Sequence, residues 1–94
     1  MQSMVIAKQY LVRGAVQGVG FRSFAVKVAR QNDLNGFVRN LNDGSLEIII
    51  EGNEWAVKLF AESIWEGPPL ARVDEIQVES RKPVWDFLEF KIIV

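Results

Sequence analysis

The chain has no cysteine and no histidine among its 94 residues. The lack of cysteine excludes disulfides and thiolate zinc sites. The lack of histidine removes the commonest metal ligand and the usual general base near neutral pH. An enzyme with this sequence must therefore work with Arg, Lys, carboxylates, amides, hydroxyls and main-chain groups.

An excess of one charge and a long hydrophobic run are also missing. The formal net charge is −1, which argues against the broad basic surface of a nucleic-acid-binding protein but leaves a small local anion site open. No stretch reaches the roughly 18–20 apolar residues that span a bilayer, and the first residues lack the pattern of a signal peptide. The sequence thus predicts one cytoplasmic domain over residues 1–94 that binds neither nucleic acid nor membrane.

The first half of the chain alternates between strand and helix patterns. Residues 4–14 are β-rich, with Tyr10 and Val12 on one face, and three glycines follow within residues 14–20. A helical period then begins at Phe21 and fades near Asn32. Residues 36–52 form two β-rich runs on either side of Asp43-Gly44, which predicts a β-hairpin.

The second half repeats this order. Asn53 is predicted to cap the N-terminus of a second helix, and the sequence EGPP is predicted to end that helix. Residues 71–80 alternate as a strand, and residues 87–94 alternate again with Leu88, Phe90 and Ile92 on one side. The last two segments form either one strand or two short ones.

Two helices and an antiparallel sheet follow from this β-α-β-β-α-β order. The arrangement that covers one face of such a sheet with both helices is the ferredoxin-like split βαβ. We therefore predict an α+β fold, a ferredoxin-like βαββαβ sandwich.

The stretch VRGAVQGVGFRS lies between the first strand and the first helix. It has no lysine where a nucleotide-triphosphatase loop needs one, and Ser23 stands where the dinucleotide fingerprint needs its third glycine. Glycines that lead into a helix N-terminus can nevertheless converge main-chain N–H groups on an anion, and Arg22 adds a guanidinium fork. The alternative is a tight strand-to-helix turn with Arg22 facing solvent.

Asn40 is unusual because asparagine is depleted in strands. It shares a face with Val38 near the end of a β-rich run. One interpretation is the start of the turn at Asn42, Asp43 and Gly44. The other is an amide that hydrogen-bonds a water or a substrate oxygen.

Two stretches of the sequence resemble signatures of the acylphosphatase family. VRGAVQGVGFR matches Val/Leu/Ile-x-Gly-x-Val-Gln-Gly-Val-x-Phe-Arg at every fixed position, and GFVRNLNDGSLEIIIEG resembles the second signature. The resemblance continues through EGPPLARVDEI and FLEFKII, so it covers nearly the whole chain. It implies hydrolysis of acyl phosphates, small-molecule substrates, to a carboxylate and inorganic phosphate, by a monomer without metal or cofactor.

The resemblance also implies roles for particular residues. Arg22 binds the phosphate and Asn40 positions the attacking water. The main chain that would cradle the phosphate consists of Gln17, Gly18, Val19, Gly20, Phe21 and Arg22. Leu41 and Ala25 stand where relatives often carry threonine, and Leu46 where valine is usual; we expect the missing hydroxyls to affect the rate and not the type of reaction.

Other functions remain open from the sequence. GFVRNL partly resembles the core of an RNA-recognition module of the same fold order, but most of its stacking aromatics are absent. A non-catalytic anion-binding module on the same scaffold is a second alternative. Glu47 and Glu51 share a strand face, and we expect this face to be solvated and not to hold a catalytic carboxylate pair.

Overall fold

The computed structural model describes residues 4–94, and the secondary structure within them follows the predicted order with two separate strands at the end. The strands are β1 (Val5–Ala15), β2 (Asn35–Asn40), β3 (Leu46–Asn53), β4 (Arg72–Arg81) and β5 (Phe90–Ile92), and the helices are α1 (Phe21–Gln31) and α2 (Glu54–Glu66). No helix in this part of the chain is long and apolar enough to cross a bilayer.

The five strands form one sheet in the order β4-β1-β3-β2-β5. The pairs β4·β1, β1·β3 and β3·β2 are antiparallel, as predicted, whereas β5 pairs parallel to β2. The antiparallel part is the ferredoxin-like sheet, and the fold prediction is confirmed. The short parallel strand extends the sheet along the outer side of β2.

The registers of three strands place Asn40 in the sheet. Leu46 of β3 lies opposite Val12 of β1 on one side and opposite Asn40 of β2 on the other. These three residues therefore form one row across the sheet. Because β1 and β2 run in the same direction, the chain leaves both strands at the same end of the sheet.

The core lies between the helices and one face of the sheet. Leu46, Ile48 and Ile50 of β3 and Tyr10 and Val12 of β1 face it, as their alternation predicts. Each helix contributes an apolar stripe. The buried members are Phe21, Ala25, Val28 and Ala29 in α1 and Val57, Phe60 and Ile64 in α2.

The predicted N-cap of α2 is confirmed. The Asn53 side-chain oxygen accepts a hydrogen bond from the main-chain N–H of Trp55 at 2.8 Å, which satisfies one of the N–H groups that lack a partner inside the helix. Gly67 ends α2 with φ 70°, and the helix boundary thus follows local sequence signals at both ends.

Two expectations about side-chain environment are wrong. Leu88 is 93% exposed and precedes β5, which begins only at Phe90, so the alternation of residues 87–94 overstates the strand. Glu51 is not solvated: it is buried, and its carboxylate accepts hydrogen bonds from the N–H groups of Val84 and Trp85 at 2.8 and 3.2 Å. The connection between β4 and β5 therefore crosses the helix-free face of the sheet.

Candidate active site

The segment between β1 and α1, residues 16–20, is called the glycine loop below. Gly18 has φ 73° and Gly20 has φ 78°, a left-handed conformation that other residues adopt only at a cost in free energy. A Cβ atom added to either residue would meet nothing within 4 Å. The glycines are thus required by the path of the main chain and not by crowding, and the space beside them is open.

The N-terminus of α1 presents unpaired main-chain donors to this open space. The first main-chain hydrogen bond of the helix joins Phe24 N to Gly20 O at 3.1 Å. The N–H groups of Phe21, Arg22 and Ser23 therefore precede the bonded part of the helix. The first turn has no acidic side chain, so the positive end of the helix dipole is not offset there by a carboxylate.

Arg22 lines a cavity of about 170 Å³ at this helix end. The other residues that line it are Val16, Gly18, Gly20, Phe21, Ser23 and Ile92. None of the four ion pairs found among residues 4–94 involves Arg22. The cavity therefore combines a guanidinium group with the N–H groups of a helix terminus, which is the chemistry of an anion site.

Asn40 ends β2 and shares a sheet face with Val38, which lies in the core beneath the helices. Its side-chain oxygen Oδ1 is buried and is the one buried side-chain N or O atom without a hydrogen-bond partner in residues 4–94. Such atoms are rare in folded proteins because burial without a partner costs free energy. The amide is therefore available to bind a water or a substrate atom.

The structure brings most of the expected residues to one end of the sheet, but not all to one cavity. Gly18, Gly20, Phe21 and Arg22 line the cavity, whereas Gln17, Val19 and Asn40 do not. Asn40 reaches the same end because its row of the sheet includes Val12, four residues before Val16.

The Gln17 side chain is directed away from the cavity. Its Nε2 donates to the carbonyl oxygens of Leu41 and Ser45 at 2.8 and 3.0 Å. These carbonyl groups belong to residues 41–45, called the hairpin turn below. The glycine loop is thus bonded to the segment that directly follows Asn40.

Three residues that line the cavity were not predicted from the sequence: Val16, Ser23 and Ile92. Val16 is the first residue of the glycine loop. Ser23 lies in the first turn of α1, and Ile92 comes from β5, about 70 residues along the chain. Ile92 looked like a core residue because it alternates with Phe90, yet it is 42% exposed. Nothing in a local pattern signals that a distant strand forms one wall of the cavity.

Two of the three departures from the family pattern lie in the core. Leu46 is fully buried. Ala25 is also fully buried on the inner face of α1, so a hydroxyl there would face the core. Leu41 is half-buried and offers its carbonyl group to Gln17.

A larger cavity of about 290 Å³ lies on the helix-free face of the sheet, away from Arg22. Its two carboxylates already have partners: Glu47 accepts from Arg39 and Gln9 at 2.6 and 2.7 Å, and Glu51 holds the β4–β5 connection. They are not a free acid–base pair. Residues 4–94 contain no cluster of three side chains suited to a metal ion.

Comparison with known proteins gives concordant matches. The family model described as Acylphosphatase matches residues 8–92. An acylphosphatase of Thermus thermophilus is 46% identical over 69 residues, 73% of this chain and 78% of that protein. An acylphosphatase of Caldivirga maquilingensis is 46% identical over 83 residues, 87% of this chain and 87% of that protein. The crystal structure of acylphosphatase from Bacillus subtilis has a TM-score of 0.91 at 36% identity, covering 97% of this chain and all of that one.

Proposed function

The chain belongs to the acylphosphatase family, and from this premise we propose that Arg22 and the glycine loop hold the substrate phosphate while Asn40 positions the attacking water. The chain hydrolyses acyl phosphates, which are mixed anhydrides of a carboxylic acid and phosphoric acid, to a carboxylate and inorganic phosphate. The proposal concerns which residues perform this reaction and how.

Phosphate binding rests on the cavity at the start of α1. There Arg22 lines the same cavity as Phe21 and Ser23, and the N–H groups of these residues begin the helix. A phosphate oxygen that accepts from these groups gains charge-assisted hydrogen bonds, and the fork of Arg22 matches two oxygens at once. This cavity, with an arginine that has no ion-pair partner among residues 4–94, is the observation that carries the proposal.

Water positioning rests on the Asn40 amide. Its buried Oδ1 has no partner within residues 4–94, and a water that donates to it would remove the cost of leaving that atom unpaired. An amide is too weak a base to take the proton of water. Asn40 therefore orients the water, and its contribution comes from geometry.

The reaction balances without any added group. The water oxygen forms a bond to phosphorus, and the bond between phosphorus and the acyl oxygen breaks, so the leaving group departs as a carboxylate. A phosphate oxygen of the substrate accepts the proton of the water. The donors at the cavity stabilise the charge that spreads over the nonbridging oxygens in the transition state, and a good leaving group lets this suffice.

Steady-state hydrolysis of benzoyl phosphate tests these roles. We expect Asn40→Ala to lower kcat by roughly a hundredfold through lost orientation of water, and Arg22→Ala to lower kcat/KM by roughly a hundredfold or more. Arg30→Ala, in the last turn of the same helix and paired with Glu89 at 3.4 Å, is the control and keeps wild-type activity. Full activity of Arg22→Ala would refute the phosphate role, and full activity of Asn40→Ala the water role.

The substrates are small acyl phosphates, as for the family. Four expectations from the sequence stay predictions. They are a monomeric state, a cytoplasmic location, a single domain over residues 1–94, and a reaction without metal or cofactor. Size-exclusion chromatography with light scattering would test the first of them.

A further inference from the structure

Gln17 joins the two halves of the proposed site through its side chain. The Nε2 atom donates to Leu41 O at 2.8 Å and to Ser45 O at 3.0 Å. Leu41 directly follows Asn40, and Ser45 directly precedes Leu46, the register partner of Asn40. One amide nitrogen therefore bonds to both ends of the hairpin turn. Each of its two acceptors is adjacent in sequence to a member of the Asn40–Leu46 pair.

A primary amide is suited to this position because its nitrogen carries two N–H groups. Main-chain groups of the glycine loop have one donor per residue, and a carboxylate in the place of this amide would face the two carbonyl oxygens with like partial charge. The residue type at position 17 thus fits the contact through its side chain, in addition to any use of its main chain in the phosphate cradle.

The hairpin turn has its own hydrogen bonds and does not need Gln17 to close. Leu41 N donates to Ser45 O at 2.8 Å, and Gly44 N donates to Leu41 O at 3.2 Å. Asp43 accepts from the N–H and hydroxyl groups of Ser45 at 3.0 and 2.5 Å. Both carbonyl groups that Gln17 contacts therefore keep a main-chain partner without it, and its removal leaves no orphaned acceptor.

The hydrogen bonds between Asp43 and Ser45 persist at neutral pH. The hydrogen bonds from Ser45 hold the pKa of Asp43 below its usual value, so the carboxylate stays ionised and keeps accepting. The hairpin turn is consequently a preformed unit. The Gln17 side chain sets the position of this unit relative to the glycine loop.

We propose that Gln17 is a positioning residue for hydrolysis, because its carboxamide fixes the glycine loop relative to Asn40. This inference rests on the roles proposed above for Arg22 and Asn40. Without the contact, phosphate still binds at the start of α1, but the phosphorus atom and the water on Asn40 lose their alignment. Small errors in alignment are costly for the rate of an in-line displacement.

The variant Gln17→Met tests the proposal because methionine keeps the length of the side chain and removes the donors. We expect kcat for benzoyl phosphate to fall roughly ten- to a hundredfold, whereas the inhibition constant of inorganic phosphate changes by less than about threefold, since Arg22 and the helix N–H groups are intact. Wild-type kcat, or an equal loss in kcat and in phosphate affinity, would overturn the proposal.

Gln9→Met is the matched control. Gln9 also donates from Nε2 in a partly buried contact, to Glu47 at 2.7 Å, but on the helix-free face. We expect this variant to keep wild-type kcat. A loss of kcat as large as that of Gln17→Met would show that any partly buried glutamine contact has this effect, and would overturn the specific role of Gln17.

The double variant Gln17→Met/Asn40→Ala separates positioning from a general effect. If Gln17 acts through Asn40, adding Gln17→Met to Asn40→Ala lowers kcat by less than about twofold, because the alignment is already lost. Independent, multiplying losses would overturn the inference. Full activity of the Asn40→Ala single variant would instead refute the proposed role of Asn40, so the two failures are distinguishable.

Gln17→Glu gives a second test that does not depend on the methionine variant folding. Its ionised carboxylate faces two carbonyl oxygens, but a protonated carboxyl group can donate to one of them. The kcat of Gln17→Glu relative to wild type should therefore rise as the pH is lowered toward the pKa of this carboxyl group. A constant ratio across the acidic range would contradict the proposal.

Discussion

Ile93 donates its main-chain N–H to the carbonyl oxygen of Val38 at 3.0 Å. This contact continues the parallel pairing of β5 with β2, in which Ile92 lies opposite Val38. It holds Ile92 beside Val38, which lies two residues before Asn40 at the end of β2. Ile92 also lines the cavity that Arg22 lines. A short strand at the edge of the sheet thus completes a wall of the site.

An acidic side chain in this wall should repel the substrate. We expect Ile92→Asp to raise KM for benzoyl phosphate by roughly tenfold through repulsion of the phosphate, and the effect should shrink in high salt. Ile92→Asn has the same shape without the charge and serves as the control. Equal KM values for the two variants would contradict an anion site beside Ile92.

Asn40 should cost stability in exchange for activity. Its buried Oδ1 has no partner among the described residues. Burial of such an atom without a protein partner costs about 1–3 kcal/mol, of which a bound water returns a part, and Asn40→Leu removes the atom at similar volume. We expect the variant to be as stable as wild type or up to about 2 kcal/mol more stable, while its kcat falls roughly a hundredfold. Urea unfolding and benzoyl phosphate hydrolysis measure the two effects.

A clear loss of stability in Asn40→Leu would contradict this account. It would mean that the amide makes a stabilising contact with other groups of the folded protein. Asn42→Ala, in the exposed part of the hairpin turn, is the matched control and should change neither quantity.

Tyr10 should make stability fall at alkaline pH. Burial raises its pKa from 10.0 to about 12. Between these values the unfolded chain binds fewer protons than the folded one, so the free energy of unfolding falls as the pH rises, by up to about 1.4 kcal/mol per pH unit. The contribution is fully present below about pH 10 and is lost by about pH 12.

The variant Tyr10→Phe should remove this part of the pH dependence. Because Tyr10 is the single tyrosine, the absorbance of tyrosinate reports its titration directly, in the folded protein and in urea. A folded midpoint equal to that in urea, or identical alkaline unfolding of wild type and Tyr10→Phe, would show that burial does not shift this group.

Local signals explain why most of the fold could be predicted. The apolar stripe that starts at Phe21, the cap at Asn53 and the alternation of β3 each depend on residues within one element. Each of these features is determined by interactions between residues that are close in sequence. The same applies to the glycine loop, whose left-handed positions coincide with glycines.

Long-range contacts explain what could not be predicted. Glu51 resembles a solvated strand residue until the β4–β5 connection, more than 30 residues later, donates two N–H groups to it. The bonds from Gln17 to the hairpin turn and the place of Ile92 in the cavity are contacts of the same kind. For Asn40, the one local signal was the depletion of asparagine in strands. This signal marked the residue as unusual but did not predict that its side-chain oxygen is buried without a partner among residues 4–94.

The most direct test of the division of labour between Arg22 and Asn40 is the inhibition constant of inorganic phosphate, measured for wild type, Arg22→Ala and Asn40→Ala. We expect Arg22→Ala to weaken phosphate binding roughly tenfold or more, because a charge-assisted hydrogen-bond donor is lost. Asn40→Ala should bind phosphate within about threefold of wild type while its turnover is lost. Unchanged phosphate binding by Arg22→Ala, or an equal loss in both variants, would contradict the account.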